Sequence, residues 1–197
     1  MTTGSAFRFP VLRDSHVGFA GPKRNAWSTS IPLQCSTRRT GFWIWEEALL
    51  YFAYTARIAP DHMAQAAPSA EFQFIAHLPE WGLDFPIEGN GWEGRLPTVV
   101  PETGSTVWGA VFLVPDKELD DLHAVEQEEQ RAASTVEAMD RNGRRHQVMV
   151  HVANGSGSNG GSARPSAHYL QIMLDGSRHW NLPFGYIAGL EEHLQNA

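Results

Sequence analysis

The stretch Val107–Glu129, which reads VWGAVFLVPDKELDDLHAVEQEE, predicts a buried strand followed by a helix. Its first part, Val107–Val114, is a continuous apolar run of β-branched and aromatic residues, which is typical of a strand buried on both faces. Pro115 ends the run, and Asp116 stands where a helix N-cap belongs. Leucines follow at helical spacing, so we expect a helix over Lys117–Glu128 packed beside the strand.

Glu126 interrupts the apolar pattern of this predicted helix. It lies seven positions after Leu119 and four after Leu122, so it shares their apolar face rather than the solvated one. A carboxylate on such a face is expected to be paired, to be kept neutral, or to face a cavity. The last two situations describe a general base. Spacing alone leaves open a second interpretation, in which the helix frays and Glu126 joins Glu128 and Glu129 on a solvated surface.

Length and composition predict one soluble globular domain. The chain has 197 residues, 42% hydrophobic and 19% charged, which is enough to bury a core without disulfides. Its formal charge of −7 would repel a phosphate backbone, so nucleic acid is a poor partner. The single cysteine, Cys35, fits a reducing compartment. No apolar run approaches the roughly 20 residues of a membrane helix. We therefore expect a cytoplasmic protein that has no membrane partner.

Hydrophobic patterns and turn residues predict the remaining elements. Strands are expected at Ala48–Thr55, Glu71–Leu78, Leu96–Val100, Thr106–Val114 and Gln147–Val152. Helices are expected at Pro60–Ala67, at Pro165–Leu174 with Gly176 closing it, and from Pro183 to about Gln195. Irregular structure is expected at 79–94 as a loop lining a cleft, at Thr103–Ser105 as a turn, and at Arg131–Arg145 and Asn154–Ser162. Residues 1–45 are predicted to form an irregular extension that packs on a core formed by residues 46–197.

The order of these motifs resembles the γ-glutamylcyclotransferase-like family, which includes the AIG2-like proteins, from about Tyr51 to the C-terminus. The family opens with a strand reading Tyr-Phe-Ala-Tyr-Gly-Ser-Asn-Leu, and Tyr51–Tyr54 match its first positions. Later landmarks are Leu83–Phe85, Trp92, Gly94, Thr98–Val100, Val107–Phe112, Pro165–Ser166, Tyr169, Leu182–Pro183, Tyr186 and Leu190. The family's catalytic glutamate follows the Trp-Gly strand on a helix, and the same interval here ends at Glu126. The resemblance implies an α+β fold, a small mixed β-barrel with flanking helices.

The chain departs from this family at the turn after the first strand. The family's Gly-Ser-Asn turn offers backbone N–H groups to the α-carboxylate of the substrate, whereas Thr55, Ala56 and Arg57 stand there in this chain. A retained acid/base residue beside an altered recognition loop is expected when a fold keeps its proton chemistry and changes its substrate. The resemblance thus implies Glu126 as the catalytic residue. The implied substrate-binding residues are Tyr54, Thr55, Ala56, Arg57, Asp84 and Tyr169, with His123 as a further partner of Glu126.

Three functions are compatible with these residues. The favoured one is a lyase-like acid/base enzyme that cyclises, dehydrates or isomerises a small biosynthetic molecule, without a cofactor. The alternatives are an authentic γ-glutamylcyclotransferase releasing 5-oxoproline and a catalytically silent small-molecule binding module. A metal site is disfavoured because HExxH is missing and because His146 and His151, five apart on a strand, lie on opposite faces. A cysteine nucleophile is disfavoured because Cys35 has no adjacent histidine.

Overall fold

The computed structural model describes residues 48–89, 91–154 and 164–197. Within them, the strands are β1 (Ala48–Ala53), β2 (Glu71–Glu88), β3 (Arg95–Pro115), β4 (Arg131–Asp140) and β5 (Arg145–Ala153). The helices are α1 (Pro60–Ala66), α2 (Leu119–Glu128), α3 (Ala167–His179) and α4 (Phe184–Gln195). The strands close into a barrel in the order β1, β3, β2, β4, β5. The predicted mixed barrel with flanking helices is therefore confirmed. The predicted extension over residues 1–45 lies outside the described residues, as does the predicted loop after Asn154.

The strand β3 lies between β1 and β2 in the barrel wall, so it is flanked on both sides as the apolar run predicted. Its second half pairs antiparallel with β1, from Ala48 opposite Pro115 to Ala53 opposite Ala110, and most of its length pairs with β2. A Cβ atom on Gly109 would lie 2.5 Å from the carbonyl oxygen of Ala53, so glycine is required for this close approach. The prediction that Val107–Val114 is a buried central strand is confirmed.

Two strands complete the barrel on the other side. β4 pairs antiparallel with β5, and β5 runs parallel to β1, with Met149 opposite Tyr51, which makes the barrel mixed. The expectation of an irregular stretch over Arg131–Arg145 is wrong. The strand β4 reads RAASTVEAMD, and its small side chains alternate only weakly between buried and exposed positions. Packing against the sheet, rather than local hydrophobicity, determines this strand.

The long strands β2 and β3 replace two predicted irregular stretches. The expected loop over residues 79–94 and the expected turn at Thr103–Ser105 are largely strand. The turn residues instead mark a slip in the β2–β3 pairing, because Pro79 lies opposite Thr106 while Trp81 lies opposite Pro101. Glu80 has a φ of 62° and its carboxylate accepts a hydrogen bond of 2.9 Å from the N–H of Gly104. The sequence signal for a turn thus corresponds to a bulge within a continuous strand.

The helices lie close to their predicted positions, with two differences. A 3-10 turn, Asp116–Glu118, precedes α2, and no side chain caps the start of α2, so the predicted N-cap at Asp116 is wrong. The helix α3 continues through Gly176 to His179. A Cβ atom on Gly176 would lie 2.7 Å from the backbone nitrogen of Ala59, so this glycine permits close packing rather than ending the helix. That contact fixes the segment after β1, which carries the site.

Candidate active site

Glu126 lies in the last turn of α2 and is completely buried. Its Oε1 accepts hydrogen bonds from the hydroxyl of Tyr51 at 3.4 Å and from the hydroxyl of Thr55 at 3.2 Å. Its Oε2 accepts one from Nη1 of Arg131 at 3.1 Å. The alternative of a frayed helix with Glu126 on a solvated surface is therefore wrong. Its catalytic role stays a prediction.

Arg57 belongs to a 3-10 turn, Ala56–Ile58, that follows β1, and its side chain turns inward. Its Nε lies 3.6 Å from Oε1 of Glu126, and its Nη2 lies 3.4 Å from Oε1 of Glu129. Its Nη1 donates a hydrogen bond of 3.0 Å to the carbonyl of His62. Arg57 is thus buried and in contact with both carboxylates rather than exposed to solvent.

Arg131 is the first residue of β4 and is completely buried. Its Nε and Nη2 both donate to the carbonyl of Pro97, at 3.0 Å and 2.7 Å, which fixes the guanidinium plane. Its Nη1 points the other way and contacts both Glu126 and Glu129. Burial alone would lower the pKa of Arg131, but the facing Tyr169 and the two carboxylates hold that pKa above its ordinary value. The guanidinium therefore remains a cation.

Glu129 caps the C-terminus of α2 and is buried, although the sequence analysis grouped it with exposed Glu128. Its Oε2 accepts hydrogen bonds from Arg131 and from the hydroxyl of Tyr169, the latter at 2.7 Å. The chain then reverses through Gln130, whose φ of 59° leads directly into β4. The expectation of a solvated Glu129 is wrong. It lies three residues after Glu126, a spacing that places two side chains on the same side of a helix.

We call Glu126, Glu129, Arg57 and Arg131 the charge ring. Each of its carboxylates contacts both of its guanidinium groups. Its formal charges sum to zero, and pairing of this kind is what makes burial of four ionised groups tolerable. Glu126 and Arg57 were predicted from the sequence as site residues, whereas Glu129 and Arg131 were not.

The segment Thr55–Arg57 uses its own backbone N–H groups internally. The N–H of Ala56 donates to the hydroxyl of Tyr169 at 3.2 Å, and the N–H of Arg57 donates to the hydroxyl of Thr55 at 3.4 Å. The structure therefore brings the predicted residues Thr55, Ala56, Arg57 and Tyr169 together around Glu126. The turn that presents N–H groups to a ligand in the family is already hydrogen-bonded here.

Within the described residues, two predicted binding residues make their hydrogen bonds outside the charge ring. The hydroxyl of Tyr54 donates to the carbonyl of His151 at 2.7 Å, and burial raises the pKa of Tyr54 to about 12. Tyr51, rather than Tyr54, reaches Glu126, since the two tyrosines pack in different parts of the core. Asp84 accepts a hydrogen bond from the N–H of Phe85 at 2.8 Å. Among the described residues, Asp84 forms no ion pair with Arg57 or Arg131.

His123 contacts another histidine rather than Glu126. Its Nδ1 lies 2.8 Å from Nε2 of His151, and its assistance to Glu126 stays a prediction. Burial, followed by the charges of His123 and Arg131, lowers the pKa of His151 to about 4. His146 pairs instead with Asp140 at 2.9 Å. Among the residues that the structure describes, no three His, Cys, Asp or Glu side chains cluster in a way that could hold a metal ion.

These features define a small closed-barrel protein with a buried, arginine-paired glutamate at the end of a helix. Residues 106–190 match the model of the AIG2-like family. The chain is 30% identical to human gamma-glutamylcyclotransferase over 158 residues, covering 72% of this chain and 76% of that protein. The bovine gamma-glutamylcyclotransferase is 27% identical over 154 residues, with 71% and 76% covered. A solved gamma-glutamyl cyclotransferase structure superimposes with a TM-score of 0.67 at 25% identity, covering 74% of this chain and 87% of the other.

The chain belongs to the γ-glutamylcyclotransferase family, of which the AIG2-like proteins are part. The resemblance inferred from the motif order is therefore confirmed. Family membership supports an enzyme of the cyclotransferase type, within the lyases. No helix in the described segments combines the length and the apolar character needed to cross a membrane.

Proposed function

We propose that this protein is a cyclotransferase-type acid/base enzyme with a substrate other than a γ-glutamyl peptide. Glu126 would transfer the proton while a small biosynthetic molecule is cyclised, dehydrated or isomerised. The observation that carries the proposal is the pairing of a completely buried Glu126 with a neighbouring turn whose N–H groups are already hydrogen-bonded. The first feature suits proton chemistry, and the second suits a changed substrate.

The surroundings of Glu126 are suited to taking up and returning a proton. Its Oε1 is contacted by Tyr51, Thr55 and Arg57, whereas Arg131 is the described contact of Oε2. Oε2 therefore has more lone-pair capacity left for a proton. In a cyclisation, an internal amine would attack a carbonyl carbon, a carbon–nitrogen bond would form, and Oε2 would take the amine proton. The same proton would then pass to the leaving nitrogen as its bond to that carbon breaks.

The turn after β1 favours a substrate other than a γ-glutamyl compound. A γ-glutamyl α-carboxylate would need free N–H donors there, yet Ala56 and Arg57 direct theirs to Tyr169 and Thr55. The guanidinium of Arg57 also contacts Glu126 and Glu129 rather than open solvent. Rearranging this turn to bind a carboxylate would cost the buried hydrogen bonds it now makes, roughly 1 kcal/mol each. These contacts favour a substrate with a different headgroup.

A second candidate is an authentic γ-glutamylcyclotransferase that releases 5-oxoproline. The 30% identity to the human enzyme that bears this name favours it, since the matched region contains Glu126. In that case Arg57 would bind the α-carboxylate through its side chain in place of the missing N–H groups. The two candidates share the proton chemistry and differ in the headgroup.

The release of 5-oxoproline from a γ-glutamyl dipeptide, such as γ-glutamylalanine, separates the candidates. We expect the wild-type protein to release little, and the Thr55→Gly, Ala56→Ser, Arg57→Asn triple variant to release more. Efficient release by the wild type that disappears in Glu126→Gln would overturn the first candidate and establish the second. Glu128→Gln is the matched control, because Glu128 is exposed on the same helix.

The substrate itself can be sought with a variant that binds without turnover. Glu126→Gln keeps the shape of the side chain but lacks the titrating proton, so we expect it to retain ligand that the wild type converts. Mass spectrometry of small molecules released from the denatured, purified variant would identify that ligand. Retention of the same unconverted molecule by the wild type would instead support a silent binding module.

A further inference from the structure

Glu129 is the second buried carboxylate of the charge ring, and neither the family motif nor the proposed reaction assigns it a role. We propose that Glu129 is a positioning residue that shares both arginines with Glu126 and thereby leaves Glu126 able to accept a proton. The inference rests on the proposed function, since it concerns how Glu126 is kept ready for that chemistry.

The contacts show how the two arginines are divided. Nη1 of Arg131 bridges the Oε2 atoms of Glu126 and Glu129. Arg57 presents Nε to Glu126 at 3.6 Å and Nη2 to Glu129 at 3.4 Å. A carboxylate that faced both cations alone would hold its charge strongly and would be a poor proton acceptor. Glu129 supplies the second negative charge that offsets this effect.

Arg131 cannot turn away to relieve an imbalance. Its Nε and Nη2 are both occupied by the carbonyl of Pro97, so Nη1 stays directed at the carboxylates. Arg57 is held in a similar way by the carbonyl of His62 at 3.0 Å. If Glu129 lost its charge, both guanidinium groups would remain in place and would act on Glu126 alone.

The other groups that face Glu126 do not supply compensating charge. They are Tyr51 and Tyr54 on β1 and Tyr169 on α3, with His151 on β5 packed against the Tyr51 ring at 5.5 Å and His123 on α2 in contact with His151. Burial raises the pKa of each of these tyrosines, so all three stay neutral at ordinary pH. Burial lowers the pKa of His151, so it is neutral as well. Among the described residues around Glu126, compensation therefore falls to Glu129.

Infrared titration of the buried carboxyl group tests the proposal without any substrate. The carbonyl band of protonated Glu126 is assigned by its loss in Glu126→Gln and followed against pH in the wild type and in Glu129→Gln. We expect the midpoint in Glu129→Gln to lie lower by about one pH unit or more. Glu128→Gln, the exposed control, should leave the midpoint unchanged. An unchanged midpoint in Glu129→Gln would overturn the proposal.

A second comparison keeps the test decisive if Glu129→Gln alone folds poorly. The Arg57→Gln, Glu129→Gln double variant keeps the charge ring neutral, and its midpoint should return towards that of the wild type. Measured against Arg57→Gln alone, the double variant should titrate at lower pH, by a similar interval of about one unit. Equal midpoints in Arg57→Gln and the double variant would show that Glu129 has no such effect. Because no turnover is needed, failure of the proposed reaction would be recognised separately, by the wild type leaving unconverted the ligand that Glu126→Gln retains.

Discussion

The charge ring has an inner and an outer half that differ in their access to solvent. The side chains of Glu126 and Arg131, the inner half, are 0% exposed, whereas those of Arg57 and Glu129, the outer half, are 6% and 10% exposed. The inner ion pair is 3.1 Å long and the outer one is 3.4 Å long. Charges are costlier to disrupt where water cannot replace a lost partner. On the proposed function, proton chemistry belongs to Glu126 in the inner half and substrate recognition to Arg57 in the outer half.

The largest effect is expected for the inner carboxylate. Glu126→Gln removes the titrating proton while keeping shape and hydrogen-bonding reach, so turnover should fall by about 10²–10⁴-fold, or roughly 3–5 kcal/mol in the barrier. Binding should survive. Single-turnover kinetics with the substrate retained by the variant would measure the fall. Exposed Glu128→Gln is the control, and a wild-type rate for Glu126→Gln would remove this residue from the mechanism.

Substituting the two arginines compares the halves by stability. Arg131→Met leaves two carboxylates and the Pro97 carbonyl without their buried donor, so the free energy of unfolding should drop by about 3–5 kcal/mol. Arg57→Met breaks contacts nearer to solvent and should cost about 1–3 kcal/mol. Urea denaturation of both variants measures the difference. Equal losses in the free energy of unfolding would contradict the division of the charge ring into two halves that differ in burial.

The parts of this fold that could be predicted have strong local signals. The run Val107–Val114 and the helical spacing after it needed only hydrophobic periodicity, and both match β3 and α2. The strand β4 lacked such a signal because Ala132, Ala133 and Ser134 carry little hydrophobic information. Gly176 was read as a helix end, although its small size serves contact with Ala59, which is distant in sequence. Long-range packing of this kind leaves no local period.

The site was predicted in the same uneven way. The phase of one helix indicated a buried Glu126 but left a solvated one open, and the order of the family's motifs then favoured burial. Glu129 was hidden in an acidic run, although its spacing of three from Glu126 was a usable signal. Arg131 was out of reach because its role depends on the reversal at Gln130 and on the carbonyl of Pro97, which belongs to another strand. The choice between Tyr51 and Tyr54 depended on which tyrosine side chain lies toward α2.

Acidification is expected to lower the free energy of unfolding through His151, which packs against Tyr51 beside the inner half. Burial lowers the pKa of His151 to about 4, below the roughly 6.5 of an unfolded histidine. Between these values the unfolded chain binds a proton that the folded chain does not, so stability is lost as pH falls from about 6.5 to 4, by up to roughly 3 kcal/mol. His151→Phe should flatten this part of the stability profile, measured by urea denaturation at several pH values. The exposed His193→Gln should leave the slope intact, and a slope unchanged in His151→Phe would contradict the assignment.

The smallest effects are expected for the two tyrosine hydroxyls, which distinguish the halves most finely. Tyr169 lies against the outer half: its hydroxyl donates to Glu129 at 2.7 Å and accepts from the buried N–H of Ala56 at 3.2 Å. Tyr169→Phe removes the acceptor of the buried Ala56 N–H and one donor from Glu129, which keeps its contacts with both arginines, so the free energy of unfolding should fall by about 1–2 kcal/mol.

Tyr51 lies against the inner half, and its hydroxyl makes a longer contact of 3.4 Å with Glu126. Tyr51→Phe should therefore cost less than about 1 kcal/mol in stability. It should nevertheless slow turnover more than Tyr169→Phe does, because it removes a donor from the carboxylate that moves the proton. Urea denaturation ranks the two variants by stability, and single-turnover kinetics ranks them by rate. If Tyr169→Phe had the larger effect on rate and Tyr51→Phe the larger effect on stability, the division into a chemical inner half and a recognising outer half would be reversed.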